Sequence, residues 1–126
     1  MSELKGIIED IGNSAFESNI KIAALAVVSI SGKVLHQTEN FDLRDHADTL
    51  LNAMKGEKSF IINDLEYSVT RTPSEGIIGT NKGGMGFVIV VPFQGGLLVS
   101  YALPKADPTK ALAFLKTFAY KLDGKV

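Results

Sequence analysis

Gly79-Thr80-Asn81-Lys82-Gly83-Gly84-Met85-Gly86 reads GTNKGGMG, four glycines and one lysine set between the apolar runs Gly76-Ile77-Ile78 and Phe87-Val88-Ile89-Val90-Val91-Pro92-Phe93. A phosphate-cradling loop and the turn of a β-hairpin both use glycine this densely, and they imply different folds. A Walker loop has Gly, four residues, then Gly-Lys-Ser/Thr, and leads from a strand into a helix. Here Lys82 precedes the glycine pair, and Phe87–Val91 is a β-forming apolar run. A dinucleotide fingerprint also needs a helix next and fails for the same reason. What remains is a glycine-rich hairpin turn whose residues occupy positive φ at no steric cost. The second half of the chain is therefore read as an antiparallel meander.

Outward from this turn the strand pattern continues on both sides. Upstream, Leu65, Tyr67, Val69 and Arg71 alternate with Glu66, Ser68 and Thr70, after a short Phe60-Ile61-Ile62 run and an Asn63-Asp64 turn. Pro73 and Gly76 flank the next turn. Downstream, Gln94-Gly95-Gly96 turns into Leu97–Ala102. Such short connections join antiparallel strands, because parallel ones need long crossovers. Near the start, the almost wholly apolar Ile20–Ser29 predicts an interior strand, and Ser31-Gly32 returns it into Lys33–Gln37.

Three helices complete the pattern. Leu4, Ile7, Ile8, Ile11 and Ala15 recur at helical spacing, with Ser2 as N-cap and an end near residues 12–17. Asp42 opens a second helix with the stripe Leu43, Ala47, Leu50, Leu51 and Met54, stopped by Gly56. Asp107 and Pro108 give the last helix the strongest start signal, followed by Ala111, Phe114, Leu115, Phe118 and Leu122 on one face. An antiparallel sheet with helices packed on it, class α+β, buries all these stripes.

The chain has 126 residues, 45% apolar and 21% charged, which fits one compact domain over residues 1–126. A net charge of −1 argues against a nucleic-acid partner. Cysteine is absent, which excludes disulfides, thiolate nucleophiles and Cys-based zinc sites. No secretory signal or transmembrane run is visible, so a soluble, cytoplasmic protein is expected. His36 and His46 have no partner at metal-binding or general-base spacing. Ser68 and Ser100 lie in strands, and Glu9, Asp10, Asp42, Asp45 and Asp48 read as helix-surface or cap residues. No catalytic constellation, metal site or cofactor follows. Phe16, Tyr67, Phe87, Phe93, Tyr101, Phe114 and Phe118 read individually as core. Tyr120 lies off the main stripe of the last helix, as a recognition surface would. Lys105, Lys110, Lys116 and Lys121 decorate that helix and suit an electrostatically steered protein interface.

From residue 20 onward the chain resembles the profilins, small actin-monomer-binding proteins. Ala23–Thr38 (AALAVVSISGKVLHQT) is similar to that family's apolar strand, Gly turn and V-Trp-x-Gln-Ser. Glu66-Tyr67-Ser68-Val69 is similar to its Lys-Tyr-x-Val strand, and Gly79–Gly84 to its Gly-Lys-Lys-Gly-x-Gly-Gly turn. Ala106-Asp107-Pro108-Thr109 falls where its C-terminal helix begins. The divergence resembles that of archaeal, Asgard-type profilins.

The resemblance implies a central antiparallel sheet of about six to seven strands. The N- and C-terminal helices would pack together on one face and a shorter helix on the other. It implies actin-monomer binding that regulates polymerisation, by a monomeric, non-enzymatic, cytoskeletal protein. The residues it carries over are Ser68, Val69, Arg71, Lys82, Met85, Phe87, Lys105, Thr109, Leu112 and Lys116. Weak binding of proline-rich peptide, through Ile7, Ile11, Leu35 and Tyr120, and of phosphoinositide head groups are secondary expectations. The chain has no tryptophan, Leu35 stands where the family's would fall, and Glu66 reverses a basic position. The competing reading is a roadblock or longin-type scaffold for a small GTPase, which favours a longer middle helix, fewer strands after it and a dimer. A PAS- or GAF-like sensor and a hydrolase or transferase rank behind, for want of a cavity signal or a constellation.

Overall fold

The computed structural model describes residues 2–38, 43–72 and 76–124. Its elements follow in the order α1 (Ser2–Glu17), β1 (Ile22–Ser29), β2 (Val34–Gln37), α2 (Ala47–Lys55), β3 (Ser59–Ile62), β4 (Leu65–Thr72), β5 (Gly76–Asn81), β6 (Phe87–Phe93), β7 (Gly96–Ala102) and α3 (Pro108–Ala119), with a closing 3-10 turn at Tyr120–Leu122. The strands form one sheet in the order β2-β1-β7-β6-β5-β4-β3. Every neighbouring pair is antiparallel, as the short turns require.

Side chains alternate across the sheet, and both faces are covered. Ala24, Ala26, Val28, Val88, Val90, Leu97 and Val99 meet Ala47, Leu50 and Ala53 of α2 on one face. Leu25, Val27, Ile89, Val91 and Leu98 meet Ile8 and Ile11 of α1 and Ala111, Leu115 and Ala119 of α3 on the other. The N- and C-terminal helices thus share a face and the short helix takes the opposite one. Double coverage is why β1 and β6 are apolar runs with no polar alternation.

Pairing overrides local pattern at several ends. β5 extends past its apolar run to Asn81, which pairs with Tyr67 of β4, and Pro92 and Phe93 stay in β6 because they pair with Leu97 and Gly96 across the hairpin. Gly76 holds φ 143, and a Cβ there would stand 2.2 Å from the Val90 carbonyl oxygen. Only glycine lets β5 start this close to β6.

Some sequence expectations need correction. α1 includes Ser2 as a helical residue. α2 starts at Ala47, later than Asp42, which lies outside the described residues, as does Pro73. Leu43 precedes the helix and is still fully buried, its N–H donating to Gln37 Oε1 at 2.9 Å. His46 occupies the N-cap position with no side-chain cap bond, so packing of Ala47, Leu50 and Ala53 sets this helix start. Phe16, read as core, is 87% exposed. One residue of helix turns the direction by about 100°, so a stripe through Ile8, Ile11 and Ala15 carries Phe16 off the sheet. By contrast Asp107 caps α3 as read, accepting from the N–H groups of Thr109 (3.0 Å) and Lys110 (3.2 Å).

Candidate protein-docking face

α3 packs on β5, β6 and β7. The β3–β4 end of the sheet lies beyond it. On β4, Tyr67 and Val69 point to the α2 side. Alternation therefore turns Glu66, Ser68 and Thr70 to the α3 side. The register sets Ser59, Ser68, Thr80 and Phe87 in one row across β3 to β6. Ile61 of β3 pairs with Glu66 on this side and is 58% exposed. Thr70 and Thr80 are exposed and Ser68 is half-buried. The result is an open stretch of sheet with α3 standing as a wall along one side.

The glycine turn borders this stretch and is built on a buried side chain. Asn81, 7% exposed, donates through Nδ2 to the Glu66 carbonyl at 3.0 Å. Its Oδ1 accepts from the N–H groups of Gly83 (2.9 Å) and Met85 (3.1 Å). The Tyr101 hydroxyl donates to the Met85 carbonyl, tying the turn to β7. Gly84 (φ 77) and Gly86 (φ 116) supply the left-handed backbone expected of such a turn. Lys82 and Met85 are thereby held out into solvent, Lys82 Nζ lying 3.6 Å from the Glu66 carboxylate. The sequence reading missed Asn81 as the organiser. The available signal was an Asn directly before the lysine and glycines, since Asx side chains bond backbone two residues on.

Beneath the sheet, Phe60 and Tyr67 stack with centroids 5.4 Å apart. Burial, with Tyr101 adding to it, pushes the Tyr67 hydroxyl up from its ordinary range, so it stays neutral.

The carried-over residues divide by placement. Ser68, Lys82 and Met85 border the open face, and Lys105, Thr109 and Lys116 are exposed on or just before α3. Leu112 is 3% exposed with its Cδ1 against Gly76, so it supports the face from beneath and cannot be a contact. Val69 is half-buried against the α2 side, and Phe87 is half-buried beside α1 and α3. Arg71 pairs with Ile77 through its backbone, and its side chain lies outside the described residues. Of the proline-rich-ligand set, Ile11 is buried and Ile7 half-buried in the helix-side core, which removes Ile11 as a contact. Leu35 and Tyr120 are exposed. Phe114 and Phe118 pair at 4.9 Å, with Lys121 Nζ 4.8 Å from the Phe118 ring. Ile61 had no sequence signal, because a three-residue apolar run shows no alternation to assign a face.

The two histidines stand apart. His46 Nε2 lies 3.3 Å from Asn63 Oδ1, and His36 is on the β2 edge at the other end of the sheet. Among the described residues, no group of His, Asp or Glu could hold a metal ion, and no helix is long and apolar enough to cross a membrane.

No family model matches the sequence. The chain is 34% identical to Loki profilin-1 of Lokiarchaeum over 134 aligned positions that cover 97% of each chain. Its fold superposes on a solved complex of Loki profilin-2 with rabbit actin at a TM-score of 0.89, 26% identical, over 100% of this chain and 99% of that one. Profilin Ib of Acanthamoeba castellanii shares the fold at a TM-score of 0.70 and 21% identity, over 86% of this chain and 94% of that one.

Proposed function

The chain belongs to the profilin family, and from that premise we propose that it binds monomeric actin through the open β3–β5 face and the start of α3. It acts as a monomer, without catalysis, and regulates polymerisation in the cytoskeleton by sequestering or delivering actin subunits. The observation that carries this is the full-length likeness to a profilin solved in complex with rabbit actin, joined to an exposed face in the matching fold.

The chemistry of the face suits docking. Ile61 and Met85 are exposed apolar side chains that gain by leaving water. Lys82, Lys105 and Lys116 are exposed cations, suited to steer an acidic surface and fix its orientation. A GTPase scaffold of the roadblock or longin type is set aside by family membership and by a middle helix of only nine residues with five strands after it.

The test is spontaneous assembly of purified actin, followed by light scattering. Wild-type protein slows assembly in a dose-dependent way. Ile61 is 58% exposed, so Ile61→Asp forfeits about 1–2 kcal/mol of apolar burial on docking, hence roughly fivefold or more in affinity. Lys116→Glu weakens binding several-fold. Lys116→Glu keeps the wild-type melting temperature; Ile61→Asp, which sets a carboxylate opposite Glu66 across β3–β4, melts slightly lower but stays folded at the assay temperature. Normal assembly kinetics at a large molar excess of the wild-type protein would overturn the reading.

A further inference from the structure

The end of the molecule where α1 stops and α3 starts carries a second surface. Phe16 is the most exposed large apolar side chain among the described residues. Just after it, Asn19 takes the left-handed conformation (φ 57) and its N–H donates to the Phe16 carbonyl at 3.2 Å. This reversal sends the chain into Lys21, whose carbonyl accepts from the Leu103 N–H at 2.9 Å. The end of α1 is thus fastened beside the β7–α3 connection, and a cleft of about 210 Å³ opens there, lined by Asn19, Lys21, Lys105, Asp107 and Lys110 among others. Leu103, also exposed, adjoins it.

We propose that this cleft and the exposed Phe16 form a docking surface for an acidic linear segment of a partner protein, one that carries an aromatic or aliphatic side chain among its carboxylates. Charge complementarity selects that occupant. Three lysines, from the α1–β1 connection, the β7–α3 loop and the first turn of α3, line one cleft in a chain whose net charge is −1. Two carboxylates are close in the chain. Asp107 is committed to the α3 cap through its bonds to the N–H groups of Thr109 and Lys110, and Glu17 stands exposed after Phe16. Opposed charge draws the partner in, and burial of Phe16 and Leu103 holds it. A concave cleft between two lysine-bearing connections admits a side chain, whereas a flat lipid surface would leave it unfilled. The inference rests on this end of the molecule and not on the actin reading. Lys105 is common to this cleft and to the actin-facing set, so the test uses Phe16 and Lys21, which do not belong to that set.

Fluorescence anisotropy with a labelled synthetic decapeptide, a Phe and a Leu bracketed by Asp and Glu, tests it at about 50 mM salt, where such contacts are only partly screened. Wild-type protein gives saturable binding. Phe16→Asp and Lys21→Glu each weaken it by about fivefold or more, as does replacing the peptide's Phe and Leu with Ser. Both protein variants retain wild-type melting and wild-type slowing of actin assembly, which separates this surface from the actin-facing one. Absence of saturable binding, or equal affinity in Phe16→Asp and wild type, overturns the proposal. Sedimentation with phosphatidylserine vesicles runs in parallel: capture that needs Phe16 while the peptide stays unbound assigns the surface to lipid and also overturns it.

Discussion

Replacing Asn81 by Ala removes three hydrogen bonds at once: one to the Glu66 carbonyl and two from the N–H groups of Gly83 and Met85. Each such bond contributes about 0.5–1.5 kcal/mol net. The turn is exposed, so water re-solvates part of what is lost, but Asn81 itself is buried and its shortened side chain leaves the Glu66 carbonyl poorly paired. A loss of about 2–3 kcal/mol follows. For a chain of this size that lowers the melting temperature by roughly 8–12 °C. Lys82→Ala is the matching control. It deletes only a solvent-exposed pair 3.6 Å from Glu66, worth under about 1 kcal/mol. Calorimetry then separates the two: Asn81→Ala melts early, and Lys82→Ala melts with the wild type. In the actin assembly assay both weaken the effect, the first by displacing Lys82 and Met85 and the second by deleting one charge. If Asn81→Ala melts within about 2 °C of wild type, its bonds do not hold the turn and the reasoning fails.

Two further perturbations probe the core. Ser100 Oγ is buried with no hydrogen-bond partner, so Ser100→Ala is expected to be neutral or to stabilise by about 1 kcal/mol in urea unfolding; a clear loss would reveal a bond that the geometry does not show. A Cβ at Gly79 would lie 2.6 Å from Phe60 Cζ and 3.0 Å from Tyr67 Cβ. Gly79→Ala should therefore cost about 1–3 kcal/mol by overpacking the stacked rings. Phe60→Leu in the same chain should recover part of it, and full additivity of the two losses would show that the ring is not the obstacle.

Local chemistry was enough for much of this protein. The absence of a helix after GTNKGGMG made that octapeptide a turn, and the short spacers around it made the sheet antiparallel, since no crossover fits in them. Asp107-Pro108 announced α3 because cap and first-turn preferences act within a few residues. What depended on distant parts of the chain was not legible. The start of α2 follows from packing of Ala47, Leu50 and Ala53 against the sheet, with no side-chain cap bond at His46 to mark it. Which face β3 and β4 turn to solvent depends on where α3 ends its cover, so Ile61 emerged as exposed and Leu112 as buried only once the layers were stacked. Asn19 and Lys21 meet Lys105 and Lys110 at one cleft although roughly ninety positions separate them, a juxtaposition made by sheet pairing and helix docking that no periodicity encodes.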